Sequence, residues 1–171
     1  MNDSALRGWA RLALKEKNMK LIVNDFDNVE EQGKWFELPE NPDYRFKIKP
    51  ITQLDLRKAR SKYTSIKFDK KSHQKMEIED PEKKREVTES LILDCVLGWE
   101  GVKEKNEDGN VVDAEFNKDK FQKLLDRNAN WKLYVEYNEE EGENETVTFS
   151  GWFMKVALDP ENFAPEDTEN L

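Results

Sequence analysis

The sequence predicts an α+β fold in which a small antiparallel sheet of two or three N-terminal strands packs with three to five helices. Tyr44, Phe46 and Ile48 alternate with charged residues, which is the period-two pattern of a strand with one solvent-facing side. A second stretch places apolar residues at three- and four-residue steps, as on the buried face of a helix. This helical stripe consists of Val87, Leu91, Ile92, Cys95 and Val96.

Length and composition favour one domain with extended ends. The chain has 171 residues, of which 36% are hydrophobic and 38% are charged. That balance predicts a thin core, whereas five Trp and nine Phe argue against general disorder. We expect an amphipathic helix over residues 1–18, a single α+β domain over 19–158 and an acidic flexible tail over 159–171.

The N-terminal segment is predicted to be a helix whose apolar side needs a covering surface. Asp3 or Ser4 can cap it, and a helix of about four turns is marginal alone in water. We expect it to dock on its own domain or, as a partner-binding element, on another chain or a second copy. The candidate partner-binding residues of this stripe are Leu6, Trp9, Ala13 and Leu14.

Strands and a capped helix are expected next. Residues 21–23 and Lys34–Leu38 are the other strand candidates, and turn residues at 39–43 join the second to the strand around Phe46. Thr52 then predicts a helix through about residue 63, with Asp55 closing a capping box.

The middle of the chain predicts a loop and then a long helix. Residues 64–79 are charged and irregular, which indicates a mobile loop. Asp80 and Pro81 supply a cap and a proline at the first helical position. We expect this helix to run to about Leu97.

A tryptophan lies between two glycines directly after the predicted helix. We expect Gly98 to take the left-handed conformation that ends a helix, and Gly101 to turn the chain again. Two interpretations of Trp99 stay open: it closes the base of the core, or it binds a partner.

The C-terminal half predicts one further helix and two ambiguous segments. Asn117 is a cap, and Phe116 can staple onto Phe121. Residues 131–137 fit a strand or a helix, and residues 147–158 fit a helix or a strand. The residues expected to share a core are Phe46, Ile48, Leu91, Ile92, Cys95, Trp99, Phe121, Leu124 and Leu125.

The sequence offers little for catalysis or for a cofactor. His73 is the only histidine and stands among lysines, and Cys95 is the only cysteine and lies on an apolar stripe. One Cys and one His do not make a usual zinc site. Residues 106–110 have the wrong ligand spacing for a calcium loop and predict a plain turn. We therefore expect a binding protein without a cofactor or metal, not an enzyme.

Charge is distributed unevenly along the chain. The net charge is −9, yet residues 45–75 hold eleven basic and two acidic side chains, while residues 76–171 hold eleven basic and twenty-six acidic ones. The basic stretch alternates with apolar residues, as a solvated face does, so nucleic-acid binding is not favoured. Neither a signal-peptide core nor a membrane-spanning run is apparent, which predicts a cytoplasmic location.

The order of these elements resembles tail assembly chaperones and related small tail-region proteins of long-tailed bacteriophages. The resemblance spans roughly residues 34–126 and rests on their pattern. Its parts are Trp35-Phe36-Glu37-Leu38, Phe46-Lys47-Ile48-Lys49-Pro50-Ile51-Thr52, Lys62-Tyr63-Thr64, Gly98-Trp99-Glu100-Gly101-Val102 and Phe116-Asn117-Lys118-Asp119-Lys120-Phe121-Gln122-Lys123-Leu124-Leu125.

The resemblance implies a non-enzymatic protein of the host cytoplasm that keeps the tape-measure protein soluble while the tail tube polymerises around it. Its partners would then be tail proteins, with a homo-oligomer as a further possibility. Two alternatives stay open. One is a structural or completion protein of the tail or neck that is retained in the virion. The other is an acidic inhibitor that mimics nucleic acid, suggested by the acidic segment from residue 76.

Overall fold

The computed structural model describes residues 32–164. The predicted helix over residues 1–18, the candidate strand at 21–23 and residues 165–171 lie outside the described part of the chain. The proposed partner-binding residues Leu6, Trp9, Ala13 and Leu14 therefore have no structural description here.

Four helices lie wholly within residues 32–164. They are α1 (Gln53–Tyr63), α2 (Pro81–Cys95), α3 (Lys118–Asn128) and α4 (Phe149–Leu158). The predicted caps are confirmed for the first three: Thr52 and Asp55 form the capping box of α1, Asp80 caps α2, and Asn117 caps α3.

The strands form one three-stranded sheet and three separate hairpins, all antiparallel. The sheet has the order β1-β2-β5, and it packs with the helices as the predicted α+β class requires. The strands are β1 (Lys34–Leu38), β2 (Asn41–Ile48), β3 (Thr64–Asp69), β4 (Gln74–Glu79), β5 (Val96–Glu100), β6 (Lys103–Lys105), β7 (Val111–Asp113), β8 (Lys132–Asn138) and β9 (Glu143–Thr148).

The prediction of a mobile loop over residues 64–79 is wrong. These residues form the β3–β4 hairpin, in which six residue pairs face one another from Thr64–Glu79 to Asp69–Gln74. The alternation of Ile66 and Phe68 with polar residues is the strand pattern. Charged residues around these apolar side chains obscured that pattern in the sequence.

The end of α2 also differs from the prediction. The helix stops at Cys95 and the chain passes directly into β5, which pairs with β2. Gly98 therefore lies inside a strand, and its predicted role as a left-handed helix end is wrong. Gly101 turns the chain as predicted, and its φ is positive at 83°. Residues 96–100 pair with β2 and so belong to the sheet. This pairing outweighs the tendency of a glycine after a helix to adopt the left-handed conformation.

A lysine from another helix caps the C-terminal end of α2. The last turn of α2 holds no basic residue, although the exposed carbonyl groups there favour positive charge. Lys118 supplies it, because its Nζ donates to the carbonyl oxygens of Leu93 and Val96. Partial burial lowers the pKa of Lys118. This contact fixes α3 against the junction between α2 and β5.

The core lies between the three-stranded sheet and α2, α3 and α4. The ring centroid of Phe46 lies 5.0 Å from that of Phe153 and 5.9 Å from that of Phe149, both edge to face. The prediction of a shared core is confirmed: seven of its nine residues are buried, and Leu91 and Leu124 are half-buried against them. The ambiguous segments resolve as β8 for residues 131–137 and as α4 within residues 147–158.

The fold continues beyond the predicted boundary at residue 158. Pro160–Phe163 forms a 3₁₀ helix capped by Asp159. Phe163 is buried, and its ring lies 5.5 Å from that of Phe36 on β1. The start of the predicted flexible tail at residue 159 is therefore wrong, because an aromatic contact holds this segment on the sheet.

Candidate protein-binding surfaces

The two residues considered for catalysis lie in unlike surroundings. Cys95 is buried in the core, and burial raises the pKa of its thiol to about 12, so it carries no thiolate near neutral pH. His73 is exposed in the turn of the β3–β4 hairpin with a positive φ of 54°. The fold does not bring them together as a nucleophile and its base.

Cation sites are likewise not formed by the described residues. No group of three or more His, Cys, Asp or Glu side chains converges there. The segment considered for calcium closes a turn between β6 and β7. The Asn106 side-chain oxygen accepts from the amide of Asn110 at 2.8 Å, and the amide of Gly109 donates to the Asn106 carbonyl at 2.9 Å. The prediction of a plain turn is confirmed.

Trp99 is buried within the isolated chain. Its ring packs edge to face on Phe116 at 5.1 Å, and its Nε1 donates to the Ala114 carbonyl at 2.7 Å. Phe116 also lies 6.1 Å from Phe121, as the predicted staple requires. The environment of Trp99 matches the core interpretation, and this indole leaves little surface for a partner.

The largest group of exposed apolar side chains among the described residues lies on the β3–β4 hairpin. We call Thr64–Glu79 the lysine hairpin. It rises from the ends of α1 and α2, where the Asp80 amide donates to the Tyr63 carbonyl at 2.8 Å. Ile66 is 72% exposed and Phe68 is 58% exposed. They point to one face, whereas Met76 and Ile78, also exposed, point to the other.

Charges on the lysine hairpin are paired at its base and unpaired at its tip. Glu77 accepts from Arg60 at 3.0 Å, and Glu79 accepts from Lys84 at 2.7 Å. Asp69 accepts from the amide of Lys71 and the hydroxyl of Ser72, which lowers the pKa of Asp69. Within residues 32–164, the tip side chains without an ion pair are Lys67, Lys70, Lys71 and Lys75.

A second hairpin, β8–β9, has the opposite charge. We call Lys132–Thr148 the glutamate hairpin. Leu133 and Val147 at its base are buried, and Glu136 pairs with Lys155 of α4. Val135 and Tyr137 are 62% and 63% exposed on one face. The carboxylates without an ion pair to any described residue are Glu139, Glu140, Glu141, Glu143 and Glu145.

An open depression lies beside the base of the glutamate hairpin. It has a volume of about 520 Å³ and is lined by residues 126–131. Trp131 forms one wall, and its ring lies tilted beside that of Phe149, with 6.0 Å between the two centroids. This indole is half-exposed.

Neither hairpin was among the residues predicted to bind a partner. The available signal was the two-residue spacing of Ile66 with Phe68 and of Val135 with Tyr137, which marks one face of a strand. Spacing alone does not tell whether that face is buried. The structure shows that both hairpins project their tips away from the core.

No helix within the described residues has the length and apolar character that crossing a membrane demands. Comparison of the whole chain with protein-family models, curated proteins and solved structures found no match.

Proposed function

We propose that this chain is a tail assembly chaperone of long-tailed bacteriophages, a binding protein of the host cytoplasm rather than an enzyme. In this proposal it binds the tape-measure protein before the tail tube forms, and the lysine hairpin is its binding element. The resemblance of residues 34–126 to that family motivates the choice, and the exposed apolar residues of the hairpin support it.

The main support is the amount of apolar side chain that the lysine hairpin exposes. Ile66, Phe68, Met76 and Ile78 all lie on one short hairpin and are all exposed. Clustered apolar side chains on a surface usually mark a site that another molecule covers. Full burial of each such side chain contributes about 1.5–3 kcal/mol, so a partner that covers several of them gains enough to bind reversibly.

The chemistry of the hairpin fits an amphipathic helical partner. Ile66 and Phe68 on one face can cover an apolar helical stripe, while the lysines at the tip keep the rim hydrated. The base is held by the Asp80–Tyr63 hydrogen bond and by ion pairs to α1 and α2. The hairpin is thus a projecting element on a packed helix pair, able to contact a long partner without disturbing the core.

Co-expression with the tape-measure protein of the same tail system tests this function. The full chain should raise the soluble fraction of the tape measure, and Ile66→Ser/Phe68→Ser should abolish most of that gain. The matched control is Val111→Ser/Val112→Ser, which removes two exposed apolar side chains from a different hairpin. Equal loss in both variants, or no gain with the natural chain, would contradict the proposal.

Mass spectrometry of purified tails distinguishes the chaperone from a virion component. A chaperone leaves before the tail is complete, so the chain should be absent from finished particles. Recovery at a stoichiometric copy number would instead support the structural or completion protein. Competition with DNA for a DNA-binding protein would support the nucleic-acid mimic, with the carboxylates of the glutamate hairpin as its acidic surface.

A further inference from the structure

Two projecting hairpins of the same chain carry unpaired charges of opposite sign. The tip of the lysine hairpin, residues 67–75, holds four lysines and one aspartate, and the tip of the glutamate hairpin, residues 139–145, holds five glutamates. We propose that the glutamate hairpin of one copy docks on the lysine hairpin of a second copy. This head-to-tail contact goes beyond the chaperone function and does not depend on it.

The apolar side chains of the two hairpins match in spacing. Ile66 and Phe68 are two residues apart on one face of β3, and Val135 and Tyr137 are two residues apart on one face of β8. Sheets pack face to face by interdigitating such side chains at about 10 Å. Thr146 of β9 lies opposite Val135 on the same face of the glutamate hairpin.

The contact requires a second copy of the chain. All four of these apolar side chains are more than half exposed in the single chain, so the two hairpins do not cover one another there. A two-stranded hairpin is marginal in water and gains from packing on a third layer or strand. Docking two hairpins on one another gives each of them that support.

The signs of the charges favour contact between unlike hairpins. Two lysine tips repel one another, as do two glutamate tips, so a symmetric contact of like hairpins is disfavoured. Lysine tip against glutamate tip is favoured, and a single such contact leaves one free hairpin of each kind on the pair. Such a head-to-tail interface adds further copies and forms rings or open chains.

The net charge of −9 opposes association of identical chains, whereas the opposite charges of the two hairpin tips favour it. Salt weakens these two effects to different extents. At about 0.15 M salt the Debye length is about 8 Å. Repulsion between the bodies of two chains acts over longer distances and is largely screened. Charges in direct contact at the hairpin tips are screened much less, so local complementarity determines the outcome.

Sedimentation velocity on the full chain at about 0.15 M salt tests the contact through charge reversal. Lys70→Glu/Lys71→Glu and Glu139→Lys/Glu140→Lys should each weaken self-association by at least about tenfold. The first change makes the lysine tip net negative, and the second leaves the glutamate tip with two lysines against three glutamates. The matched control for the lysine variant is Lys105→Glu/Lys123→Glu, which makes the same change in net charge at exposed lysines outside the lysine and glutamate hairpins and should leave self-association unchanged.

Mixing the two reversed variants provides the decisive measurement. Each variant pairs badly with itself. The first keeps the natural glutamate hairpin and the second keeps the natural lysine hairpin, so the equimolar mixture should recover association. Circular dichroism on every variant should match the natural chain, so that loss of association is not loss of fold.

Several results would overturn the proposal. They are a monomeric natural chain, unchanged mass in either reversed variant, equal loss in the control, or no recovery on mixing. Unchanged mass in the variants would point to the segment of residues 1–18 as the self-association element instead. The Glu139→Lys/Glu140→Lys chain should still raise tape-measure solubility, so failure of this contact and failure of the chaperone function give different results.

Discussion

Gly101 turns the chain out of β5 where two backbone segments come very close. Its φ is +83°, and an added Cβ would lie 2.0 Å from the carbonyl oxygen of Asp43. Gly101→Ala should therefore cost well over the roughly 1–2 kcal/mol of a left-handed alanine. Gly109 is the control, because its φ is +81° and nothing lies within 4 Å of an added Cβ. Urea unfolding should show a clearly larger loss at Gly101 than at Gly109, and equal losses would contradict the close approach.

Asp55 links the stability of α1 to pH. Its carboxylate accepts from the hydroxyl of Thr52 at 2.7 Å and from the amide of Thr52 at 3.0 Å, and these hydrogen bonds lower the pKa of Asp55. A pKa that is lower in the folded state gives stability that is present above the unfolded pKa and is lost as pH falls through the folded pKa.

Asp55→Asn should consequently lower the free energy of unfolding by about 0.5–1 kcal/mol near pH 7, the lower range for a helix cap. The difference from the natural chain should shrink as pH falls below the usual range of an Asp pKa, and it should disappear once the carboxyl is protonated. Glu107→Gln, at an exposed turn carboxylate, should change stability little at neutral or acid pH. A difference for Asp55→Asn that persists unchanged in acid would contradict the assigned role of the carboxylate.

Neighbouring residues of one helical stripe differ in how deeply they are buried. Ile92 is 2% exposed, whereas Leu91 is half-buried. Ile92→Ala should cost about 2–5 kcal/mol, as truncations of buried aliphatic side chains do, and Leu91→Ala should cost clearly less. Thermal or urea unfolding of the pair checks this order. Equal losses of stability would mean that the half-buried Leu91 contributes as much to the folded state as the buried Ile92.

The sequence pattern predicts which residues of α2 face the core, but it does not predict which of them is buried most deeply. The period of a helix identifies the residues that face inward, so Ile92 and Leu91 were placed together. Which of them is fully covered depends on the position of α4, which comes from the far end of the chain. The caps at Thr52, Asp80 and Asn117 were predictable because a cap depends only on residues within one turn.

The lysine hairpin is an element that the domain should be able to lose. Thr64 and Glu79 face one another at its base, and the chain is already closed there by the Asp80–Tyr63 hydrogen bond. Replacing residues 65–78 by Asn-Gly, which favours a two-residue hairpin turn, should change the free energy of unfolding by less than about 1 kcal/mol. The shortened chain should no longer raise tape-measure solubility.

The glutamate hairpin provides the contrasting control for this excision. Its base contributes Leu133 and Val147 to the core, so removing residues 133–147 takes away two buried aliphatic side chains. That deletion should cost several kcal/mol, at roughly 2–5 kcal/mol for a buried leucine alone. If removal of the lysine hairpin were equally costly, that hairpin would be part of the folding unit and not a projecting element.

Elements were predictable where local chemistry marks their ends. All four helices fall in segments for which a helix was predicted or left open, and three of them begin at predicted caps. The change from α2 to β5 has no proline, and its one glycine lies within the strand. The strand pattern of the lysine hairpin is harder to recognise, because its few alternating apolar residues stand among many charged ones.

At the scale of the whole molecule, the core depends on pairings between distant parts of the chain. Phe46 of β2 pairs with Trp99 of β5, and it packs on Phe149 and Phe153 of α4. No local pattern encodes which strand or helix will meet β2. The binding surfaces are not encoded locally either. Which strand faces stay exposed on the two hairpins is known only when the residues that form the core are known.

The two proposals place a tape measure and a second copy of the chain on the same lysine hairpin, so the two should compete. Self-association then hides part of the binding surface, and the apparent affinity for the tape measure falls by the fraction of chains that are free. A labelled tape-measure segment, followed by fluorescence anisotropy, should bind Glu139→Lys/Glu140→Lys more tightly than the natural chain. The gain should grow with protein concentration, because more of the natural chain is then associated.

The control for this competition is Glu107→Lys/Glu115→Lys, an exposed pair outside the lysine and glutamate hairpins. It makes the same change in net charge as the reversed glutamate tip and should bind like the natural chain. Adding an excess of the tape-measure segment should also return the natural chain to monomer mass in sedimentation. If the reversed glutamate hairpin abolished self-association but left the apparent affinity unchanged at every concentration, the two partners would occupy different surfaces. The exposed face of Met76 and Ile78, opposite Ile66 and Phe68 on the same hairpin, would then be the surface left to the tape measure.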